Sequence, residues 1–279
     1  MRSLLIALIF STLIPAKASD DTNQHQSLDE KLAKAIVKFG FLPIDEFTNP
    51  DTEKLKAGAM LFGDINLSLK KNKTCFTCHN PLLGSAESTP FSMGMGARWP
   101  KMNAEDNAKY PNLGEGGVPY FQQMHARITK RKSSPLYNKA HPGFKSLFAD
   151  GRLYLGENGE IITENDDLNN RLGGYAPIYD ALENIVAAQS IFPIADAIEM
   201  RGNKTTYKPE VDTDLKVWQE VAKSIFSQKT YIDLFNKIYP NVEVENLNIA
   251  HIGNALSYFQ KFSFQVSTTP WDEYLRGNK

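Results

Sequence analysis

The sequence predicts a mainly α fold with long loops and one small β-hairpin insertion. Three observations carry this reading. Apolar residues recur at helical spacing in several separated segments. The stretch 80–135 lacks any such period and is rich in Gly, Pro and Asn. Strand-type residues flank a turn dipeptide at one place, Asn158-Gly159. There is no internal repeat and no alternation of strand and helix of the kind that builds a parallel sheet.

The elements follow in chain order. Ser27 with Glu30 forms a capping box, in which each side chain can bond the other's backbone N–H. Leu28, Leu32, Ala35 and Ile36 then mark one helical face. Residues 53–62 predict a second helix, and 80–135 predict loops. The segment Arg152–Ile162 predicts the hairpin, because Asn-Gly tolerates the positive φ that a tight turn needs. The mixed charges of 160–171 read as a solvated loop. Tyr179, Leu182, Ile185 and Val186 share a face and predict one helix over 178–189. Two shorter helices are expected at 214–226 and 230–239. The strongest period runs from Ile249 to Phe262, with Ile252, Ala255, Leu256 and Phe259 inward.

Composition narrows the function. The 279 residues are 42% hydrophobic and 23% charged, as in an ordinary globular chain. A net charge of −1 lacks the basic surplus of a phosphate-tracking protein, so nucleic acid is not an expected partner. Arg2, the apolar run Leu4–Pro15 and Ala16-Lys17-Ala18 have the layout of a secretory signal peptide cleaved after Ala18. The run is short for a membrane span, which needs about 20 apolar residues. The expected organisation is therefore a signal peptide over 1–18 and one domain over 19–279, exported to a compartment such as the periplasm.

Cys75-Phe76-Thr77-Cys78-His79 carries the chemistry. C-x-x-C-H is the attachment pattern of c-type haem. Two thiols can add to the two haem vinyl groups, and the adjacent imidazole then falls beneath the iron as proximal ligand. The rivals are a redox C-x-x-C pair and half of a zinc site. The first lacks a thioredoxin-like context. The second lacks a further ligand pair, since His25, His125, His141 and His251 are scattered singles. One covalent haem c is thus expected on Cys75, Cys78 and His79, within a cytochrome c-like helical haem domain. His125 and His141 read as surface residues, and Trp99, Trp218 and Trp271 as packing residues.

Five further segments, in order from residue 55 to the C-terminus, resemble the bacterial di-haem cytochrome c peroxidases and the related methylamine-utilisation haem enzymes. They are Met60-Leu61-Phe62-Gly63-Asp64 with Leu67-Ser68, then Ser134–Asn138, Leu147–Arg152, Gln189–Ile194 with Glu199-Met200, and Ser267–Gly277. The resemblance is to the N-terminal, peroxidatic haem domain. It implies that Gln189 and Glu199 stand over the distal face of the haem. A carboxylate there can act as general acid–base on peroxide, and an amide can orient it. It also implies an electron-donating redox protein as partner and hydrogen peroxide as substrate.

The departures from the family pattern shape the expectation. The chain ends just after the last match, where the family's second haem domain begins. The Trp of the family's F-W-D-G-R segment is Ala149, and its Arg-Asn pair is Lys132-Ser133, which puts the family's calcium site in question. Peroxide reduction takes two electrons, and in the family the second haem supplies one of them. A lone haem domain would therefore use a protein radical, recruit a partner with its own haem (another cytochrome, or a second copy of the chain in a homodimer), or forgo peroxidase turnover. Met95 sits where some members carry a removable distal His, so a His79/Met95-ligated electron carrier is the alternative. A haem subunit of a larger redox complex is a further one.

Overall fold

The computed structural model describes residues 27–87, 91, 92, 94, 129–202 and 210–278. Met95, His125, Trp99 and the segment 1–18 lie outside the described residues. The chain forms two units. The smaller takes in residues 1–43 and 270–279, the larger Ile44–Thr269. Among the described residues no helix is long and apolar enough to cross a membrane.

In the smaller unit, α1 (Leu28–Phe39) starts at the expected capping box, with Glu30 N–H donating to Ser27 Oγ at 3.2 Å and Ser27 N–H to Glu30 Oε2 at 3.0 Å. Gly40 ends it at φ 63°, a left-handed position that glycine adopts without a Cβ penalty. A terminal helix over Pro270–Leu275, not foreseen in the sequence, carries Trp271, which meets Phe41 edge-on at 6.1 Å.

The larger unit is built on three helices: α2 (Thr52–Phe62), α6 (Ile185–Ala195) and α9 (Ile249–Ser263). α9 packs against both of the others. Two glycines set how closely they approach. A Cβ on Gly58 would meet the Ala255 carbonyl and lie 2.5 Å from Phe259 Cβ, and one on Gly253 would lie 2.6 Å from the Ala187 carbonyl. Two further helices, α7 (Asp214–Phe226) and α8 (Lys229–Ile238), complete the core at the expected positions. Trp218 is fully buried there, confirming its packing role, and its Nε1–H donates to the Ile191 carbonyl at 2.9 Å.

The hairpin is present and gains a strand. β1 (Ser146–Leu147), β2 (Leu153–Leu155) and β3 (Ile161–Ile162) form an antiparallel sheet in that order, with Leu147 opposite Leu153 and Leu155 opposite Ile161. Gly159 turns the hairpin at φ 83°. Leu147, Leu153 and Ile161 pack on Ile185, Val186 and Ala188 of α6. The sheet therefore covers one side of the helix that carries Gln189.

Two expectations need correction. The single helix over 178–189 is two: α5 (Ala176–Ala181) and α6. Leu182 turns extended, and the Asn184 side chain accepts Ala187 N–H at 2.9 Å, capping a new start. The shared apolar face of Tyr179, Leu182, Ile185 and Val186 spans that break. The segment 160–171 is also more than a solvated loop. It holds β3 and a helical turn, α4 (Asp166–Asn169), whose cap Asn165 accepts Leu168 N–H at 2.9 Å.

Candidate functional site

The short helix α3 (Cys75–Cys78) puts both thiols on one turn, and His79 caps its end with its N–H donating to the Cys75 carbonyl at 2.9 Å. Residues three apart on a helix lie on the same face, so the two sulfurs and the imidazole open toward one region. Burial pushes each thiol up to about 12, so both stay neutral S–H groups at neutral pH. Glu87 and Glu199 raise Cys78 further, and Lys73 opposes them. Burial lowers the His79 pKa, with backbone hydrogen bonds at Ser85 and Ser134 acting the other way, so the ring is neutral.

His79 Nδ1 lies 3.1 Å from the Ser85 carbonyl. A carbonyl can only accept, so Nδ1 carries the hydrogen and Nε2 keeps the lone pair that a metal needs. The Ser85 carbonyl is held in turn. Ser85 sits at φ 59°, its Oγ accepts Leu136 N–H at 2.8 Å, and its hydroxyl donates to the Gly84 carbonyl at 2.6 Å. Ser133 closes the other side, its hydroxyl donating to the Cys78 carbonyl at 2.7 Å. The position where the family pattern has Asn thus braces the thiol helix here. This donor set fits c-type haem: two neutral thiols on one helical turn, and an imidazole fixed in the tautomer that leaves Nε2 free. Among the described residues no cluster of three or more His, Cys, Asp or Glu forms a metal site.

Glu199 comes to this region from far along the chain. After α6, Asp196 Oδ1 accepts the N–H groups of Ile198 at 2.7 Å and Glu199 at 2.9 Å, folding 196–201 into a tight turn. Ser68 then donates to the Met200 carbonyl at 3.0 Å, tying the turn to the segment that leads into Cys75. Glu199 lies near enough for its charge to act on Cys78. Its own carboxyl is raised to about 7, first by burial and then by Asp196, with Glu164 adding and Arg152 opposing. Arg152 is itself forked between Asp150 at 2.8 Å and Glu164 at 2.8 Å. It stacks 4.0 Å over the Phe148 ring.

Gln189 lies half-buried on α6, and its amide makes no hydrogen bond to another described residue. His251 is buried in the first turn of α9, where its Nδ1 accepts Asn248 N–H at 3.2 Å. His141 is partly buried in a turn, with Nδ1 accepting Gly143 N–H at 3.0 Å. Neither histidine joins the Cys75–His79 group. Ser85, Lys73 and Glu87 were not singled out in the sequence, and Ser133 stood out only as a departure from the family pattern. Lys73 and Glu87, both buried beside Cys78, have a readable signal in hindsight: charged residues flanking a C-x-x-C-H motif on both sides.

A search of curated proteins found no match. Among solved structures the chain is similar to a MauG-like protein associated with microbial copper homeostasis, at 18% identity and a TM-score of 0.47. That match covers 86% of this chain and 49% of the other, so the chain spans about half the length of that relative. The family model for di-haem cytochrome c peroxidases matches residues 52–279, a range that takes in the Cys75–His79 motif and all five resembling segments. On that match the chain belongs to the di-haem cytochrome c peroxidase family, whose members bind c-type haem.

Proposed function

We propose that this chain is an exported mono-haem c-type cytochrome that reduces hydrogen peroxide with electrons from an external redox protein. The observation that carries the reading is Glu199, a carboxyl raised to about 7 and held beside the thiol helix by the Asp196 turn and the Ser68 bond. Haem bound at Cys75, Cys78 and His79 would supply the redox-active iron that accepts electrons and takes up peroxide. The work left to the chain is proton movement. Cleaving the O–O bond so that one oxygen leaves as water requires a proton to pass from one peroxide oxygen to the other. A carboxyl with a pKa near the working pH can take and return it with little driving force lost either way. The free amide of Gln189 is suited to orient the peroxide by accepting one hydrogen bond and donating another. Two electrons and two protons per peroxide give two waters. The electrons are assigned to an external redox protein, the kind of partner that a peroxidase of this family works with. Residues 1–18 act as the export signal, which suits periplasmic attachment of haem; the mature N-terminus read by mass spectrometry should begin at Ser19.

The deciding measurement is the absorption and EPR spectrum of the haem-loaded ferric protein before and after peroxide. A high-spin ferric signal that changes on adding peroxide, and no longer changes in Glu199→Gln, is expected. A low-spin spectrum with a methionine–iron band and no peroxide reaction would overturn the proposal. Met95→Ala would then show whether Met95 is the ligand.

A further inference from the structure

We infer that Arg201 binds a haem propionate, the carboxylate side chain that the prosthetic group itself brings. The inference rests on the haem reading of Cys75–His79. Arg201 Nε is buried and has no hydrogen-bond partner; no other side-chain nitrogen or oxygen among the described residues is left this way. Arg201 also forms no ion pair with another described residue, although Asp196, Glu199 and Glu164 surround the turn that carries it. Its backbone is fixed, with Arg201 N–H donating to the Asp196 carbonyl at 2.9 Å. The preceding Met200 is buried and held by Ser68, on the segment that leads into the thiol helix.

A buried guanidinium N–H without an acceptor has lost its water and gained nothing in return, so such groups are rare unless something outside the chain completes them. The missing partner must be an anion or a carbonyl, because guanidinium only donates. A carboxylate meets it best, with two oxygens matching the planar fork. Haem c carries two propionates, and both of the anchors that would fix it lie on the segment to which the Arg201 turn is tied.

Two electrostatic consequences follow. The ferric state carries one more positive charge than the ferrous state, so a cation nearby favours reduction. A propionate paired with Arg201 also stays ionised through the neutral range. Losing Arg201 should therefore lower the midpoint potential. It should also let the propionate titrate near neutrality, so that the potential falls as pH rises through its pKa.

The test is the midpoint potential against pH for the haem-loaded full chain, its Arg201→Gln variant and its Arg201→Lys variant, with the propionate bending band followed by resonance Raman. The wild type should be flat with pH across the neutral range. Arg201→Gln should be lower and sloped, and Arg201→Lys closer to wild type in potential but with a shifted propionate band. Superimposable potentials for wild type and Arg201→Gln would overturn the assignment. If Arg201→Gln does not mature, an unshifted propionate band in Arg201→Lys does the same. Peroxide reactivity is not among the readouts, so a peroxide-reactive protein with unmoved potentials refutes the Arg201 assignment alone. A methionine-ligated, unreactive protein refutes the peroxidase reading alone.

Discussion

Replacing Glu199 with Gln should stabilise the protein above pH 7 while removing its reaction with peroxide. The wild-type carboxyl is raised from 4.5 to about 7 by burial and by Asp196. Below pH 4.5 the group is neutral in both the folded and the unfolded chain, and a near-isosteric amide changes little. Between 4.5 and 7 the folded chain holds a proton that the unfolded chain has lost, so stability falls as pH rises. Above 7 the carboxylate is charged in both states, and the folded chain bears the full desolvation. At about 1.4 kcal/mol per unit this approaches ~3 kcal/mol, or about 2–3 kcal/mol allowing for the part of the side chain that water reaches. Urea denaturation of the haem-loaded wild type and Glu199→Gln from pH 4 to 8 would trace the difference. The two curves should meet at the acid end and separate toward pH 8, with the variant more stable. A constant difference across that range, or a less stable variant at pH 8, would refute the argument that Glu199 is held at a cost for its proton chemistry.

Three other substitutions test the scaffold around the site. Ser85→Ala leaves the buried Leu136 N–H without its acceptor and should cost about 1–3 kcal/mol in denaturant unfolding. It should also raise the midpoint potential, because a loosened Ser85 carbonyl makes His79 a weaker donor to ferric iron. Gly58→Ala drives a methyl into the Ala255 carbonyl and Phe259, so a loss of about 1–3 kcal/mol or more is expected, read as a lowered Tm. Trp218→Phe removes a fully buried donor to the Ile191 carbonyl along with packing volume. A loss of about 2–4 kcal/mol is expected, between that of a hydrogen bond alone and that of truncation to Ala.

The legible parts of the fold were those specified by neighbours in sequence. The α1 capping box needs only Ser27 and Glu30, and both of its bonds are present. The period over Ile249–Phe262 is long enough to exclude a strand, and α9 follows it to within a residue. The turn at Asn158-Gly159 is equally local. What failed depended on distant residues. The break between α5 and α6 hangs on Asn184, whose side chain could as well have pointed to solvent within one long helix. The structure also ties that break to α9, with Asn254 Oδ1 accepting Glu183 N–H at 3.0 Å and Asn184 Nδ2 donating to Ser257 Oγ at 3.2 Å. Strand β1 is two residues long, and its pairing with β2 decides it more than its own composition does.

The site divides along the same line, and the division has a chemical cause. Covalent attachment requires two thiols and an imidazole within five consecutive residues, so Cys75–His79 is visible in any reading of the chain. Proton transfer requires only that a carboxyl arrive at the right place from anywhere. Nothing within a few residues of Glu199 distinguishes it from a solvated acid, and only the order of family segments singled it out. The structure supplies a physical reason for its position that the resemblance could not. A turn capped by Asp196 aims residues 199–201 back toward the thiol helix, and the Ser68 bond anchors that turn at Met200. The capping carboxylate is also the charge that, after burial, raises Glu199 most. One residue thus sets both where the acid stands and how readily it holds its proton, which couples geometry to acidity at this position. Asp196→Asn would keep the cap, since its side-chain oxygen can still accept both N–H groups, while removing the charge. It should therefore lower the Glu199 pKa toward its ordinary range with the turn intact, and shift the pH dependence of the peroxide reaction toward acid.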